Sequence, residues 1–152
     1  MATLPDLESI IKEWEVDAAI DSAKLDETTV RLARAHAKYL SYHSFYRLRL
    51  RKKEVAFDDL KKNKWLYYTG KLSKEEMDSF GWPYDPFGGN TKPLRNELDY
   101  YFESDKELSE AKSVIEYLKI TIDAIKEILD TIRWRHSAVK NIIDSQKFAA
   151  GV

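Results

Sequence analysis

The apolar residues between positions 105 and 147 recur in alternating steps of three and four, which predicts one long helix. The pattern holds for about five heptads, with an interruption at His136. A strict 3.5-residue repeat favours a left-handed coiled coil. Ser104 and Glu107 have the spacing of a capping box at the start of this helix.

A second apolar stripe runs beside the first on this segment, through Val114, Tyr117, Thr121, Ala124 and Ile128. Two stripes imply neighbours on two sides, which suits a bundle or a ring. A helix of this length would be about 60 Å long, and a chain of 152 residues cannot bury it alone. We therefore predict oligomerisation through residues of the first stripe: Leu108, Ile115, Leu118, Ile122, Ile125, Leu129, Ile132, Val139 and Ile143.

The first half of the chain carries two further helical patterns. Residues 1–25 contain a short amphipathic helix, whose apolar positions are Leu7, Ile10, Ile11 and Trp14. A long helix follows over residues 26–70, with Asp26 or Thr28 as its cap and Gly70 as its stop signal. Its early part shows a seam of Val30, Ala33, Ala37 and Leu40.

Glycine and proline are concentrated in the middle of the chain. Four of the five Gly and three of the four Pro lie between Gly70 and Pro93. We predict that residues 71–103 form a loop, and residues 80–90 have the clearest loop composition. The predicted fold is an all-α single domain over residues 1–152. It is a long helical hairpin with this Gly/Pro/aromatic loop at its bend, and the helix over residues 104–148 assembles it into a homo-oligomer, either a bundle or a ring.

Composition argues against an enzyme. The chain has no Cys, which excludes disulfides, thiolate zinc sites and cysteine nucleophiles. It also has only three His and five Gly. It has no phosphate-binding Gly-rich motif, and His36 and His43 have no carboxylate or third His at ligand spacing. We therefore expect no catalytic residue, no metal and no cofactor. No apolar run approaches the roughly 20 residues of a membrane span, and the N-terminus lacks the pattern of a signal peptide. The expectation is a soluble protein of the cytoplasm without a membrane partner.

The near-zero net charge of −1 conceals a strong polarity along the chain. Residues 47–74 carry ten bases and three acids, a local charge of +7, whereas the remainder sums to −8. Blocks of like charge have a different meaning from alternating charges. One segment is therefore suited to binding a polyanion.

Residues 61–71 of this segment combine cations with aromatic rings. Single-stranded nucleic acid is bound by this pairing, because cations neutralise phosphates and aromatic faces stack on unpaired bases. The candidate binding residues here are Lys61, Lys62, Lys64, Trp65, Tyr67, Tyr68 and Lys71. The alternative is that Trp65, Leu66 and Tyr68 belong to the core and the lysines to a solvated face.

Residues 47–53 extend the positive segment upstream, with Arg49 and Lys53 as further candidates for phosphate contact. The alternation of cation and leucine by itself would suit a strand, but its position inside a helical window argues for a helix. The positive charge of this stretch has a second interpretation. The same cations could pair with the acidic segments of a neighbouring subunit.

Three stretches in the same order resemble the UvsY family, the recombination mediators of large tailed phages. The central stretch is Lys62-Asn63-Lys64-Trp65-Leu66-Tyr67-Tyr68-Thr69-Gly70, which resembles the family's basic-x-basic-x-x-Tyr-Tyr-small-Gly pattern. Near the N-terminus the matching residues are Ile20-Asp21-Ser22-Ala23-Lys24-Leu25. Near the C-terminus they are Ala138-Val139-Lys140-Asn141-Ile142 and Phe148-Ala149-Ala150-Gly151.

This resemblance implies a non-enzymatic ring-shaped homo-oligomer, a heptamer in the family, that binds single-stranded DNA. Its implied partners are a RecA-like phage recombinase and the phage single-stranded-DNA-binding protein, which the mediator helps the recombinase to displace. The family's DNA contacts fall on Lys62 and Lys64, where the second is Lys although the family can carry Arg. Residues 80–93 have no counterpart in the family pattern, so the roles of Trp82, Tyr84 and Phe87 stay open.

Two functions follow as hypotheses. The first is a single-stranded-DNA-binding mediator that helps to load a RecA-like recombinase in phage recombination, repair and recombination-dependent replication. The alternative is a coiled-coil assembly or scaffold protein that binds no DNA and pairs its basic segment with acidic segments of its neighbours.

Overall fold

A computed structural model describes residues 3–151 and contains only helical elements over that range. Two of the five α-helices have 44 residues each. A short 3₁₀ helix, Arg95–Glu97, directly precedes α4. The α-helices are α1 (Leu7–Asp17), α2 (Leu25–Tyr68), α3 (Lys74–Phe80), α4 (Leu98–Ser104) and α5 (Lys106–Ala149). The all-α prediction is confirmed for these residues, and α1, α2 and α5 match the three predicted helices.

The predicted helix starts are wrong in detail. Asp26 and Thr28 lie inside the first turn of α2, where the Thr28 hydroxyl donates to the Lys24 carbonyl. Ser104 is the last residue of α4, and its hydroxyl donates to the Tyr100 carbonyl at 2.8 Å. Asp105 caps α5 instead, because its Oδ1 accepts the Leu108 N–H at 3.0 Å.

The segment 71–103, predicted as a loop, contains α3, the 3₁₀ helix and α4. Ser73 caps α3 by accepting the Glu76 N–H at 3.2 Å. Gly81 ends α3 with a left-handed backbone, φ 72°. Residues 81–94 contain no helix and form the loop that the glycines and prolines predict.

The end of α2 follows the prediction. Gly70 has φ 72°, and its N–H donates to the Tyr67 carbonyl while the Lys71 N–H donates to the Leu66 carbonyl. These two bonds form a Schellman motif, which satisfies carbonyls that a helix end leaves free. The motif sets where the chain leaves α2, immediately after the two tyrosines.

The chain divides into two compact units, and both long helices contribute to each. The first unit consists of residues 1–50 and 117–152. Its main core joins α1, α2 and α5 through Ile10, Tyr39, Tyr46, Ile125 and Ile132. A smaller cluster of Leu25, Leu32 and Val139 extends the packing between α2 and α5.

The heptad stripe of α5 is already packed within a single chain. Leu118, Ile125, Leu129, Ile132 and Val139 are buried in the clusters of the first unit, and Ile122 and Ile143 pack against them. Leu108 and Ile115 are buried as well. The long helix is thus partly covered by α1 and α2 of its own chain, contrary to the expectation that only other subunits could bury it.

The early seam of α2, in contrast, is not packed within the chain. Val30, Ala33, Ala37 and Leu40 are all exposed, and Leu48 continues this stripe two turns further on; the core is filled instead by Leu32, Ala35 and Tyr39. Both sets recur at helical spacing, so α2 has a buried face and an exposed apolar stripe on its other side. The described residues of the chain leave this second stripe uncovered.

The second unit, residues 51–116, has its own aromatic core. Tyr67, Tyr68, Leu72 and Trp82 are buried there, with Phe87 among the residues packed around them. Loop 81–94 therefore supplies core residues to this unit. Within residues 3–151, no helix is long and apolar enough to cross a membrane.

Candidate nucleic-acid interface

The predicted binding residues separate into an exposed set and a buried set. Within the second unit, Lys53, Lys61, Lys62 and Lys71 are exposed, and the Trp65 residue is 44% exposed. The buried residues are Lys64, Tyr67 and Tyr68. Arg49 is exposed but belongs to the first unit, where its guanidinium lies 5.5 Å from the centre of the Tyr46 ring.

Lys64 lies in a buried ion pair. Its Nζ is 3.0 Å from Asp105 Oδ2 and 3.4 Å from Glu107 Oε1, and its side chain is only 6% exposed. The ammonium also lies 4.1 Å from the centre of the Trp82 ring, a cation–π contact. These contacts join the end of α2 to the start of α5 and to the loop that follows α3.

Asp105 is the centre of this network. Its Oδ2 accepts the Tyr68 hydroxyl at 2.6 Å and the Lys64 ammonium, while its Oδ1 caps α5. Burial alone would raise the pKa of Asp105, but the hydrogen bonds from Tyr68 and Leu108 and the charge of Lys64 outweigh it, so the pKa lies below its ordinary value. Asp105 is therefore held as a carboxylate.

The two tyrosines use their hydroxyls inside the protein. Tyr67 donates to the Pro83 carbonyl at 2.7 Å, and Tyr68 donates to Asp105. Burial, and then the Asp105 carboxylate, raise the pKa of Tyr68 far above its ordinary value. The core interpretation thus describes Tyr67 and Tyr68, whereas the indole of Trp65 is left accessible.

The four exposed lysines of the predicted set give the second unit accessible positive charge. Among residues 3–151, no carboxylate oxygen lies within 4.0 Å of the ammonium of Lys53, Lys61, Lys62 or Lys71. Exposed cations without an internal partner keep their charge available for phosphates. Lys71 also places its Nζ 4.3 Å from the centre of the Trp65 ring. We call Lys53, Lys61, Lys62, Trp65 and Lys71 the basic surface.

Sequence reasoning missed the residues that organise this surface. Asp105 and Glu107 are about forty positions from Lys64, and no local pattern marks them as its partners. Lys92 and Arg95, which flank Pro93, line a groove together with Trp65 and Lys71. Two cations around a proline inside an apparent loop were the one available signal. No cluster of metal-ligating side chains occurs in the described part of the chain.

Comparison with known proteins relates this arrangement to one family. A family model described as "Recombination, repair and ssDNA binding protein UvsY" matches residues 13–152. The recombination protein uvsY of Enterobacteria phage T4 is 26% identical over 147 residues, which cover 95% of this chain and 98% of that protein.

Solved structures give the same relationship. One crystal structure of the bacteriophage T4 recombination mediator protein UvsY superimposes with a TM-score of 0.80 and 25% identity, covering 96% of this chain and 98% of the other. A second crystal form of that protein gives a TM-score of 0.77 at 23% identity, over 95% and 99% of the two chains. The likeness therefore extends over almost the whole of both chains.

Proposed function

The chain belongs to the UvsY family of recombination, repair and single-stranded-DNA-binding proteins, and from this we propose that it is a recombination mediator. The role consists of binding single-stranded DNA and helping a RecA-like phage recombinase to displace a single-stranded-DNA-binding protein. It needs no catalytic step. The observation that carries the proposal is the basic surface, in which four exposed lysines without carboxylate partners among residues 3–151 lie on the same stretch of chain as an accessible tryptophan.

The proposal assigns different tasks to the candidate residues. Lys53, Lys61, Lys62 and Lys71 contact phosphates, because their ammonium groups are exposed. Lys64 is a positioning residue, since its ammonium is buried against Asp105, and Tyr67 and Tyr68 hold the same end of α2. Arg49 adds positive charge on the first unit.

We further propose that the protein assembles as a ring-shaped homo-oligomer, a heptamer by its resemblance to the family. The heptad residues of α5 are packed within the chain, so the contact between subunits needs another apolar surface. The exposed stripe of α2 supplies one, with Val30 54% and Leu48 68% exposed. The buried heptad residues support that surface from behind.

A ring repeats the basic surface once per subunit, which makes weak sites effective. Linking several sites converts later contacts into intramolecular ones and raises the overall affinity without any new contact. The ring then holds single-stranded DNA in a shape that the recombinase binds better than the competing single-stranded-DNA-binding protein does. The shape of the bound DNA can shift the competition between the two proteins only because their affinities for that shape differ.

The salt dependence of oligo-dT binding tests the DNA-binding role. Each phosphate contact with a single strand contributes about −0.7 to the slope of log affinity against log salt. We expect Lys61→Ala with Lys62→Ala to weaken binding and to reduce the slope by about 0.7 for each lysine that binds a phosphate. The matched control is Lys119→Ala with Lys126→Ala, which removes two exposed lysines of the first unit. Equal slopes for the two variants would contradict the assignment, and an oligomer that binds no DNA would leave the scaffold role.

A further inference from the structure

Trp65, which is partly exposed, lines a groove that also includes residues outside the basic surface. The groove has a volume of about 480 Å³, and its walls include Trp65, Lys71, Lys92, Arg95, Asp99 and Phe102. All of these residues belong to the second unit. The groove lies where the end of α2 meets the 3₁₀ helix and α4.

Trp65 differs from the other tryptophan of this unit. Trp82 is buried, stacks on Phe80 and donates its indole N–H to Glu107. No aromatic ring of residues 3–151 pairs with Trp65, and the Lys71 ammonium lies 4.3 Å from the centre of its ring. An indole with a flexible lysine over its ring and no aromatic ring stacked on it is available to a flat ligand.

The charge of the groove selects an anionic ligand. Lys71, Lys92 and Arg95 are exposed, and no carboxylate of residues 3–151 lies within 4.0 Å of their charged nitrogens. Asp99 is the single acid among the groove residues named above, against these three cations. A flat ring for stacking and cations beside it are the two features that bind unpaired nucleotides.

We propose that this groove is a binding site for one unpaired nucleobase of single-stranded DNA, stacked on Trp65 between phosphates held by Lys92 and Arg95. The base replaces Lys71 over the indole, and the Lys71 ammonium moves to a phosphate. The volume lies within the range of about 300–1,000 Å³ typical of small-ligand sites, so a base with its sugar fits. The proposal rests on the proposed function and adds to it Lys92 and Arg95, two phosphate-binding residues outside the basic segment 47–74.

The groove favours single strands over duplexes. A paired base is stacked on its neighbours in the duplex, so its face is not available to Trp65. Phosphates of a duplex remain available to the cations. Removal of the indole should therefore affect binding of a single strand and leave duplex binding unchanged, which separates stacking from general charge.

The test measures binding of the full chain to oligo-dT and to a duplex of equal length by fluorescence anisotropy at several salt concentrations. We expect Trp65→Ala to weaken oligo-dT binding by about 5- to 150-fold with an unchanged salt slope. Lys92→Ala with Arg95→Ala should reduce the slope by about 0.7 for each side chain that binds a phosphate. Trp134→Ala is the matched control, because Trp134 is 77% exposed and belongs to the first unit.

The outcomes separate the groove from the proposed function. If the unmodified chain binds and Trp65→Ala binds oligo-dT as Trp134→Ala does, the groove proposal is overturned while the proposed function stands. If the unmodified chain binds no single-stranded DNA, both are overturned. An equal weakening on oligo-dT and on duplex would also overturn stacking. If Trp65→Ala unfolds, the Lys92 and Arg95 variant still tests the groove, since both side chains are exposed, and an unchanged salt slope for it would overturn the proposal.

Discussion

Replacing Lys64 tests whether this residue of the basic segment 47–74 acts by stabilising the fold or by contacting DNA directly. Lys64→Met removes the ammonium and keeps most of the apolar side chain. It leaves Asp105, whose side chain is 4% exposed, without its cation. The matched control is Lys62→Met, two residues away on the same helix and exposed.

The expected loss of stability depends on the hydrogen bonds that the Asp105 carboxylate retains. Removing one partner of a buried ion pair typically costs about 3–5 kcal/mol. Asp105 retains the Tyr68 hydroxyl and the Leu108 N–H, so we expect the lower end, about 3 kcal/mol. For a chain of this length, that corresponds to a fall in Tm of about 6–12 °C. Lys62→Met should stay within about 0.5 kcal/mol of the unmodified chain, as exposed substitutions do.

Urea and thermal unfolding followed by far-UV circular dichroism measure the stability of both variants. Oligo-dT binding, measured below the unfolding range, gives the second readout. We expect Lys64→Met to keep the salt slope of the unmodified chain, whereas Lys62→Met lowers it. A Lys64→Met variant that is as stable as Lys62→Met and shows the same reduced slope would refute the positioning role.

Two further predictions concern acid stability and assembly. Because the pKa of Asp105 in the folded chain lies below its unfolded value of 3.8, the unfolded state takes up the proton first as pH falls. The stability that Asp105 contributes is thus present at neutral pH and is lost as the pH falls below the unfolded pKa and through the folded one. Urea unfolding should therefore show that the free energy of unfolding of Asp105→Asn declines less steeply over this acidic range than that of the unmodified chain. Val30→Asp with Leu48→Asp should reduce the oligomer to smaller species in sedimentation at unchanged helicity, whereas Leu129→Asp should unfold the first unit, because Leu129 is buried. An unchanged mass for the first variant would exclude the exposed stripe of α2 as the contact.

The long helices could be predicted from sequence because their signals are local. The long apolar repeat identified α5, and Gly70 marked the end of α2, where it adopts φ 72°. The short helices α3 and α4 were missed because Gly and Pro dominate the composition around them. Ser73 and Glu76 nevertheless have the same capping-box spacing as Ser104 and Glu107, so the start of α3 carries a local signal that the surrounding loop composition outweighed.

Apolar periodicity identified the stripes but not what covers them. The α5 repeat has the spacing of a coiled coil, and α1 and α2 of the same chain bury much of it. The seam of Val30 and Leu40 has equally good spacing and is exposed. A helix with apolar residues on two sides gives no local sign of which side faces its own chain, since both sides satisfy the same periodicity.

Charge patterns in the candidate site have the same limitation, because they do not show which lysine is buried. Lys61, Lys62 and Lys64 lie within four positions, yet only Lys64 is buried, because Asp105 and Glu107 approach it from the start of α5. A buried ammonium needs a partner, and here that partner is about forty residues distant. Its burial fixes the end of α2, and it is this fixed end that presents Lys61, Lys62 and Trp65 outward. The buried lysine and the exposed lysines therefore serve one surface by different means, and single substitutions at neighbouring positions should separate affinity from stability.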